Sequence, residues 1–249
     1  MLRWGMVIDL FRCIGCHACT YACKAENRTG KGVFWTLVYD YERGKYPNVM
    51  RSFLPILCMH CKDAPCEQVC PSGATYKRVD GIVAVDPKKC IRCKACMVAC
   101  PYHARFKNPE DAYLTTEGHQ EQEHPLLRQP GIVEKCNFCK DRIERGKKHG
   151  LISGRDWDAN PACVNACPVN ARTFGDLNDS ESEVSKLIRS QKGDVLHEEL
   201  GTGPAVFYIS GERPLLKSLK LPATPLRRIR QGGAYGAQSG QDKVEKEWA

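Results

Sequence analysis

Apolar and polar positions in this chain alternate in short runs rather than in long stripes. M-V-I-D-L, just ahead of residue 13, and A-R-T-F-G-D-L, just after residue 167, read as strand-like segments. A-T-Y-K-R-V-D-G-I-V-A-V-D holds two β-prone runs about Asp80-Gly81, a dipeptide suited to a tight turn, and so predicts a hairpin. G-P-A-V-F-Y-I near Phe207 predicts one more strand. Helical signals are short. K-D-R-I-E-R-G-K-K-H-G, from residue 140, predicts a charged helix running into a glycine-rich loop. S-E-S-E-V-S-K-L-I-R-S, over 180–190, opens on a capping serine and an acidic first turn, so it predicts a surface helix. Residues 109–130, including E-G-H-Q-E-Q-E-H-P, are polar and loop-like. Beyond residue 211 the chain is rich in Pro, Gly, Lys and Arg, with little to build a core. It reads either as a disordered tail or as an extended arm. No apolar run approaches the roughly 20 residues that span a bilayer, and M-L-R-W-G-M-V-I-D-L leaves no room for a signal peptide.

Composition changes the picture through one residue type. Charged residues at 27% and hydrophobic ones at 42% are ordinary, but 16 cysteines among 249 residues are not. They fall in four bunches: Cys13, Cys16, Cys19 and Cys23; Cys58, Cys61, Cys66 and Cys70; Cys90, Cys93, Cys96 and Cys100; Cys136, Cys139, Cys163 and Cys167. Disulfides that staple distant loops would not cluster as tight C-x2-C pairs, so ligation is the expected use. The net charge of +8 is spread along the chain, without a helix-turn-helix pattern or the signature of an RNA-binding sheet, so no nucleic acid partner is expected.

The third bunch, C-I-R-C-K-A-C-M-V-A-C-P, is the bacterial ferredoxin run C-x2-C-x2-C-x3-C-P, whose fourth cysteine ligates the other cluster of a two-cluster module. Zinc is the main rival, because C-x2-C pairs also build tetrahedral sites. Three features oppose it: three thiolates crowded into seven residues, as the corners of a cubane need; a proline after Cys70, Cys100 and Cys167; and ligands enough for four cubanes. Cys23 has no place in a centre held by Cys13, Cys16 and Cys19, since a helix would carry its sulfur a turn further on. With the Asp80-Gly81 hairpin between them, the second and third bunches form one contiguous module, leaving the first and fourth to pair across it. Exchange of the fourth cysteine then assigns four [4Fe–4S] clusters: Cys13, Cys16, Cys19 and Cys167; Cys23, Cys136, Cys139 and Cys163; Cys58, Cys61, Cys66 and Cys100; Cys70, Cys90, Cys93 and Cys96.

The expected fold class is therefore α+β, with two nested bacterial-ferredoxin-like modules, loop-rich insertions and an extended C-terminal tail. Residues 1–49 with 131–180 make a discontinuous outer module, 50–108 the inner module, and 109–130 a connecting loop. Residues 181–211 add a surface helix and strand, and 212–249 are the basic tail or docking arm. The long gap between Cys139 and Cys163 reads as a partner contact or as a plain surface loop. His17 and His60 lie between cluster cysteines, but no cysteine is missing, so neither is expected to be a ligand. Lys24, Arg92 and Lys94 would raise the potential of nearby clusters if their side chains point inward. No Ser-His-Asp pattern, P-loop or G-x-G-x-x-G accompanies the cysteines, so no catalytic residue is expected.

Three stretches carry a resemblance to a known family: W-G-M-V-I-D-L-x-R-C-x-G-C-x-A-C-x-x-A-C-K-A-E-N; A-P-C-E-Q-V-C-P-S-G-A-T-Y-K-R-x-D-G-I-V with K-C-I-R-C-K-A-C-M-V-A-C-P-Y; and E-K-C-N-F-C-x-D-R-I with A-C-V-N-A-C-P-V-N-A-R-x-F-G-D-L. Over about residues 3–180 the chain resembles the four-cluster iron–sulfur subunits of molybdopterin oxidoreductases, as in polysulfide, thiosulfate, tetrathionate and dimethyl sulfoxide reductases. The resemblance implies a non-catalytic electron-transfer subunit. It would be wired to a large molybdenum or tungsten catalytic subunit and to an integral membrane quinone-reactive subunit or other redox partner. It also implies attachment to a membrane through partners, at the periplasmic face if a partner's twin-arginine signal carries the chain across, otherwise in the cytoplasm. The Cys13 cluster would lie nearest the catalytic subunit. A free-standing soluble polyferredoxin is the alternative.

Overall fold

The computed structural model describes residues 1–30, 32–109 and 129–210. The expectations for most of the 109–130 loop and for the tail beyond 211 lie outside the described residues. The chain runs β1 (Trp4–Asp9), α1 (Ala18–Asn27), β2 (Thr36–Lys45), β3 (Asn48–Leu57), α2 (Pro65–Gln68), β4 (Thr75–Lys77), β5 (Val83–Val85), α3 (Ala95–Val98), β6 (Phe106–Lys107), β7 (Val133–Glu134), α4 (Lys140–Lys148), α5 (Ala162–Asn165), β8 (Arg172–Asp176), α6 (Glu183–Gln191) and β9 (Val206–Ile209). Short helices and short strands mix in an α+β arrangement.

β1 is the centre of a sheet ordered β8-β1-β9, antiparallel to β8 and parallel to β9. It is buried on both faces, which is why W-G-M-V-I-D reads as a continuous apolar run rather than as an alternation. Met6 and Ile8 point into the main core, while Val7 packs with Val184 and Ile209 beneath α6. The hydroxyl of Ser182, rather than of Ser180, caps α6 by accepting the N–H of Ser185 at 3.3 Å. β9 therefore belongs to the same sheet as the N-terminal strand, an association the sequence alone does not reveal.

β4 and β5 form the hairpin expected around Asp80-Gly81, in register Thr75↔Val85 to Lys77↔Val83. Gly81 supplies the positive φ of 82° that the turn needs. The carbonyl of Asp80 accepts the N–H of Trp4 at 3.0 Å, joining this hairpin to β1. A second and much longer hairpin, β2–β3, is absent from the sequence reading. Its base is buried and its tip exposes Tyr46, Val49 and Met50. It straddles residues 49 and 50, where the sequence reading divides outer from inner module. The excursion between Cys139 and Cys163 is folded back on the molecule: Arg142 pairs with Glu26 of α1 at 3.0 Å and donates to the carbonyls of Asn160 and Trp157.

One core unites these parts. It contains cysteines of all four bunches together with Trp4, Phe138, Phe174 and Tyr208. Trp4 stacks on Phe174 at 5.2 Å, Phe174 meets Phe138 edge-on at 5.2 Å, and Phe138 stacks on His60 at 3.8 Å. The fully buried Tyr208 hydroxyl donates to the carbonyl of Pro55 at 2.8 Å, tying β9 to the base of the β2–β3 hairpin. Tyr208→Phe leaves that carbonyl without its donor and should cost about 1–3 kcal/mol, measured by chemical denaturation of the intact protein against the parent.

Candidate metal centres

The cysteine loops share a backbone device. The residue two places after the first cysteine of each bunch has positive φ: Gly15 at 68°, His60 at 45°, Arg92 at 63° and Phe138 at 53°. The twist turns backbone N–H groups toward sulfur. His60 N–H donates to Cys58 Sγ and Phe138 N–H to Cys136 Sγ, each at 3.4 Å. A Cβ on Gly15 would sit 2.3 Å from the ring of Phe53, so this position has no room for a side chain. After each C-P step a second left-handed residue follows: Gly73, His103 and Asn170. These turns bring the N–H of Thr75 onto Cys70 Sγ at 3.3 Å and that of Ala171 onto Cys167 Sγ at 3.2 Å.

Strand pairing decides which cysteines meet. The β1–β8 register, Ile8↔Arg172, sets the loop before Cys13 beside the turn after Cys167, and the thiols of Cys19 and Cys167 both act on Cys13. Cys23, a turn beyond Cys19 on α1, is gathered instead with Cys136, Cys163 and Cys139. The side-chain amide of Asn27 donates toward Cys23 Sγ at 3.6 Å and Cys139 Sγ at 3.7 Å. Cys58, Cys61, Cys66 and Cys100 line one hollow of about 330 Å³, its open mouth included. Cys70, Cys90, Cys93 and Cys96 line another of about 320 Å³. Among the described residues no three His, Cys, Asp or Glu side chains converge as a lone metal ion needs. In these last two sets the sulfurs stand back around hollows.

Burial raises most of these thiols above their ordinary values. Cys23 and Cys136 are pushed well up, with neighbouring thiols adding to the effect; Cys100 rises to about 11 and Cys139 to about 12. Cys70, lightly buried, is lowered, because the N–H of Thr75 and the hydroxyl of Ser72 outweigh its desolvation. Thiolates so deeply placed need positive charge nearby, which iron supplies when a cluster is bound. The donor set fits an iron–sulfur cluster: four sulfurs about a hollow, with inward N–H groups.

Three buried cations add to this charge, and the sequence reading misses all of them: Arg105, Lys135 and Arg172. The signal was present, since C-P-Y-H-A-R and C-P-V-N-A-R place an arginine five residues after Cys100 and after Cys167. Lys24, by contrast, turns its Nζ to the carbonyls of Thr29 and Gly30. Arg92 lies along Gly131 and, with Lys94, lines the hollow of Cys70, Cys90, Cys93 and Cys96. His60 is fully buried and held neutral, its pKa driven well down by burial and by Lys135 and Arg105; its Nδ1 accepts the N–H of Val83 at 3.1 Å. His17 opens α1 with φ 60°.

The profile of a 4Fe–4S dicluster domain matches residues 12–74, and a second profile of the same description matches residues 49–116. The chain is 39% identical to the arsenate respiratory reductase iron–sulfur subunit of Shewanella sp. over 84% of its own length and 96% of the relative's. It is 41% identical to a sulfite dehydrogenase subunit of Allochromatium vinosum, over 84% of this sequence and 83% of that one. It is 35% identical to a polysulfide reductase chain of Wolinella succinogenes, over 87% and 98%. This protein belongs to the iron–sulfur electron-transfer subunits of molybdopterin reductases. Members of this family carry electrons for a reductase complex and are not its catalytic part. Iron–sulfur clusters are accordingly its cofactors, and no helix among the described residues is long and apolar enough to cross a membrane.

Iron removal tests the charge balance of this subunit. A buried charge stripped of its partner costs about 3–5 kcal/mol, and Arg105, Lys135 and Arg172 together would then consume most of a stability of about 5–15 kcal/mol. Anaerobic chelation should abolish the cooperative thermal transition followed by circular dichroism. Iron uptake by the stripped chain should strengthen from neutral to alkaline pH, because the raised thiols must first release protons.

Proposed function

We propose that this subunit carries four [4Fe–4S] clusters in a row between a molybdopterin catalytic subunit and a membrane quinone-reactive subunit. The ligand sets are Cys13, Cys16, Cys19 and Cys167; Cys23, Cys136, Cys139 and Cys163; Cys58, Cys61, Cys66 and Cys100; and Cys70, Cys90, Cys93 and Cys96. The clusters, when bound, supply one-electron redox chemistry. Two ferredoxin-like modules, one nested in the other, hold them. The side-chain amide of Asn27 reaching both Cys23 Sγ and Cys139 Sγ, with the thiols of Cys136 and Cys163 acting on Cys23 as well, is the observation that carries this reading.

The row is supported by contacts between successive groups. Cys19 acts on Cys163, Cys58 on Cys136, and Cys66 on Cys96. These three junctions link the four sets in a single order. Cys16 and Cys93, in the first and last sets, are exposed. Both ends of the row thus reach the surface, with Phe11 and Ile14 beside one and Ile91 and Val98 beside the other. Such apolar rims suit protein partners that exclude water from an electron-transfer contact. The names of the relatives, among them a menaquinone reductase subunit of Nitratidesulfovibrio vulgaris, favour a quinone partner and attachment to the membrane through it. Backbone N–H groups and buried cations about the sulfurs stabilise the more negative, reduced state.

Anaerobic purification should yield about sixteen iron and sixteen sulfide per chain; near-stoichiometric zinc, or iron for two clusters, would overturn the reading. Cys23→Ser should alter the EPR signal that Cys136→Ser also alters and leave the signal altered by Cys13→Ser. It should also stop electron flow between quinol and catalytic subunit while activity with small dyes persists. If the Cys23→Ser and Cys13→Ser signals coincide, the nested arrangement fails.

A further inference from the structure

Arg105 and Arg172 occupy the same place in two copies of one motif, and each is only 4% exposed. Arg172 donates from Nη2 to Cys19 Sγ at 3.4 Å and to Thr36 Oγ1 at 3.1 Å, and from Nη1 toward Met6 Sδ at 3.8 Å. Its guanidinium also lies against the thiol of Cys163. Arg105 donates from Nη1 to Thr75 Oγ1 at 3.1 Å, while its Nε and Nη2 find no hydrogen-bond partner. It lies against Cys66 and Cys96. Among the described residues no carboxylate pairs with either arginine.

The correspondence is close. Cys19 and Cys163 are the third cysteines of the first and fourth bunches; Cys66 and Cys96 are the third cysteines of the second and third. Each arginine thus sits at the junction of two four-sulfur groups, held by a threonine hydroxyl and facing the third cysteine of both. Burial disfavours a guanidinium, yet the sulfurs outweigh it, and both arginines are held above their ordinary pKa. Two unsatisfied N–H donors on a buried cation are costly unless negative sulfur completes them.

We propose that Arg172 and Arg105 are shared counter-charges, each setting the reduction potentials of two adjacent clusters together: Arg172 for the Cys13 and Cys23 clusters, Arg105 for the Cys58 and Cys70 clusters. The proposal rests on the four-cluster reading above. A single cation between two acceptors stabilises an added electron on either one and offsets the repulsion between electrons on both. A charge shared in this way moves both neighbouring potentials in the same direction. These arginines are positioning residues: they act through the ligands and need touch no substrate.

The test is EPR-monitored redox titration of the full complex carrying Arg172→Gln, Arg172→Lys or Arg105→Gln, with iron and sulfide assayed on each. Iron content of the unmodified complex judges the four-cluster reading separately. With full iron content, Arg172→Gln should make reduction of both outer-pair clusters at least tenfold less favourable, about 59 mV each for one electron, and leave the inner pair unmoved. Arg105→Gln should do the reverse. Arg172→Lys keeps the charge but not the fork, so its shifts should be smaller and unequal between the two clusters. Where the glutamine variant loses iron, Arg172→Met, which keeps much of the volume without the charge, decides: unchanged midpoints refute a shared charge. A shift confined to one cluster, or spread evenly over all four, also overturns the proposal.

Discussion

Negative charge gathered on sulfur in an apolar interior is the condition that shapes this molecule. Two unit charges 4 Å apart interact by about 4 kcal/mol at an effective dielectric constant of 20, so a few uncompensated contacts would equal the whole stability of a domain. The chain meets this demand locally first. Left-handed residues at Gly15, His60, Arg92 and Phe138 bend the loops, and at Gly15, His60 and Phe138 the backbone N–H faces sulfur. Arg105, Lys135 and Arg172 then place full positive charge where sulfur groups abut. Beside these turns α2, α3 and α5 stay four residues long, because the backbone there is committed to the turns.

The same condition makes the redox centre and the hydrophobic core one object. Helices of four residues cannot bury an apolar stripe, so cysteine, aromatic and aliphatic side chains from strands and loops do the packing in their place. His60 and Phe138 show how closely the two roles coincide. Each follows a cysteine by two residues, each donates its N–H to that cysteine, and their rings stack at 3.8 Å across the junction between the Cys58 and Cys136 groups. Neutral imidazole suits this seat, since a protonated ring would face Lys135 and Arg105 without a counter-charge.

Much of this was legible in the sequence where the signal was local. Asp80-Gly81 between β-prone runs gave the short hairpin, and the acidic, serine-capped segment gave α6. The parallel pairing of β9 with β1 was not legible, because its partners lie some two hundred residues apart in sequence and leave no local pattern. The β2–β3 hairpin was missed although T-L-V-Y-D-Y is β-prone, since its turn around Tyr46 lacks the Asn-Gly or Asp-Gly signature. At the metal centres the thiols were conspicuous and the cations were not. Adjacency in sequence pointed to Lys24, Arg92 and Lys94; Arg92 and Lys94 do line the hollow of Cys70, Cys90, Cys93 and Cys96, while Lys24 commits its Nζ to the carbonyls of Thr29 and Gly30. Arg105 and Arg172 enter instead from the strand-like segment after the C-P turn and are buried.

Strand pairing clamps the two halves of the chain in equivalent ways. β1 against β8 brings the start of the first bunch to the end of the fourth, and β4 against β5 brings the end of the second to the start of the third. A clamp of this kind tolerates insertions as long as they leave from loops rather than from the paired strands. The excursion between Cys139 and Cys163 does so: α4 departs at Lys140, Arg142 anchors it to Glu26 and to the carbonyls of Trp157 and Asn160, and the chain returns into α5 ahead of Cys163. Its outer surface leaves Trp157 65% exposed, while on its inner side Gly154 lies close against the backbone of Phe174 and Gly175, so the excursion braces the strand β8 that sets the sulfur positions behind it.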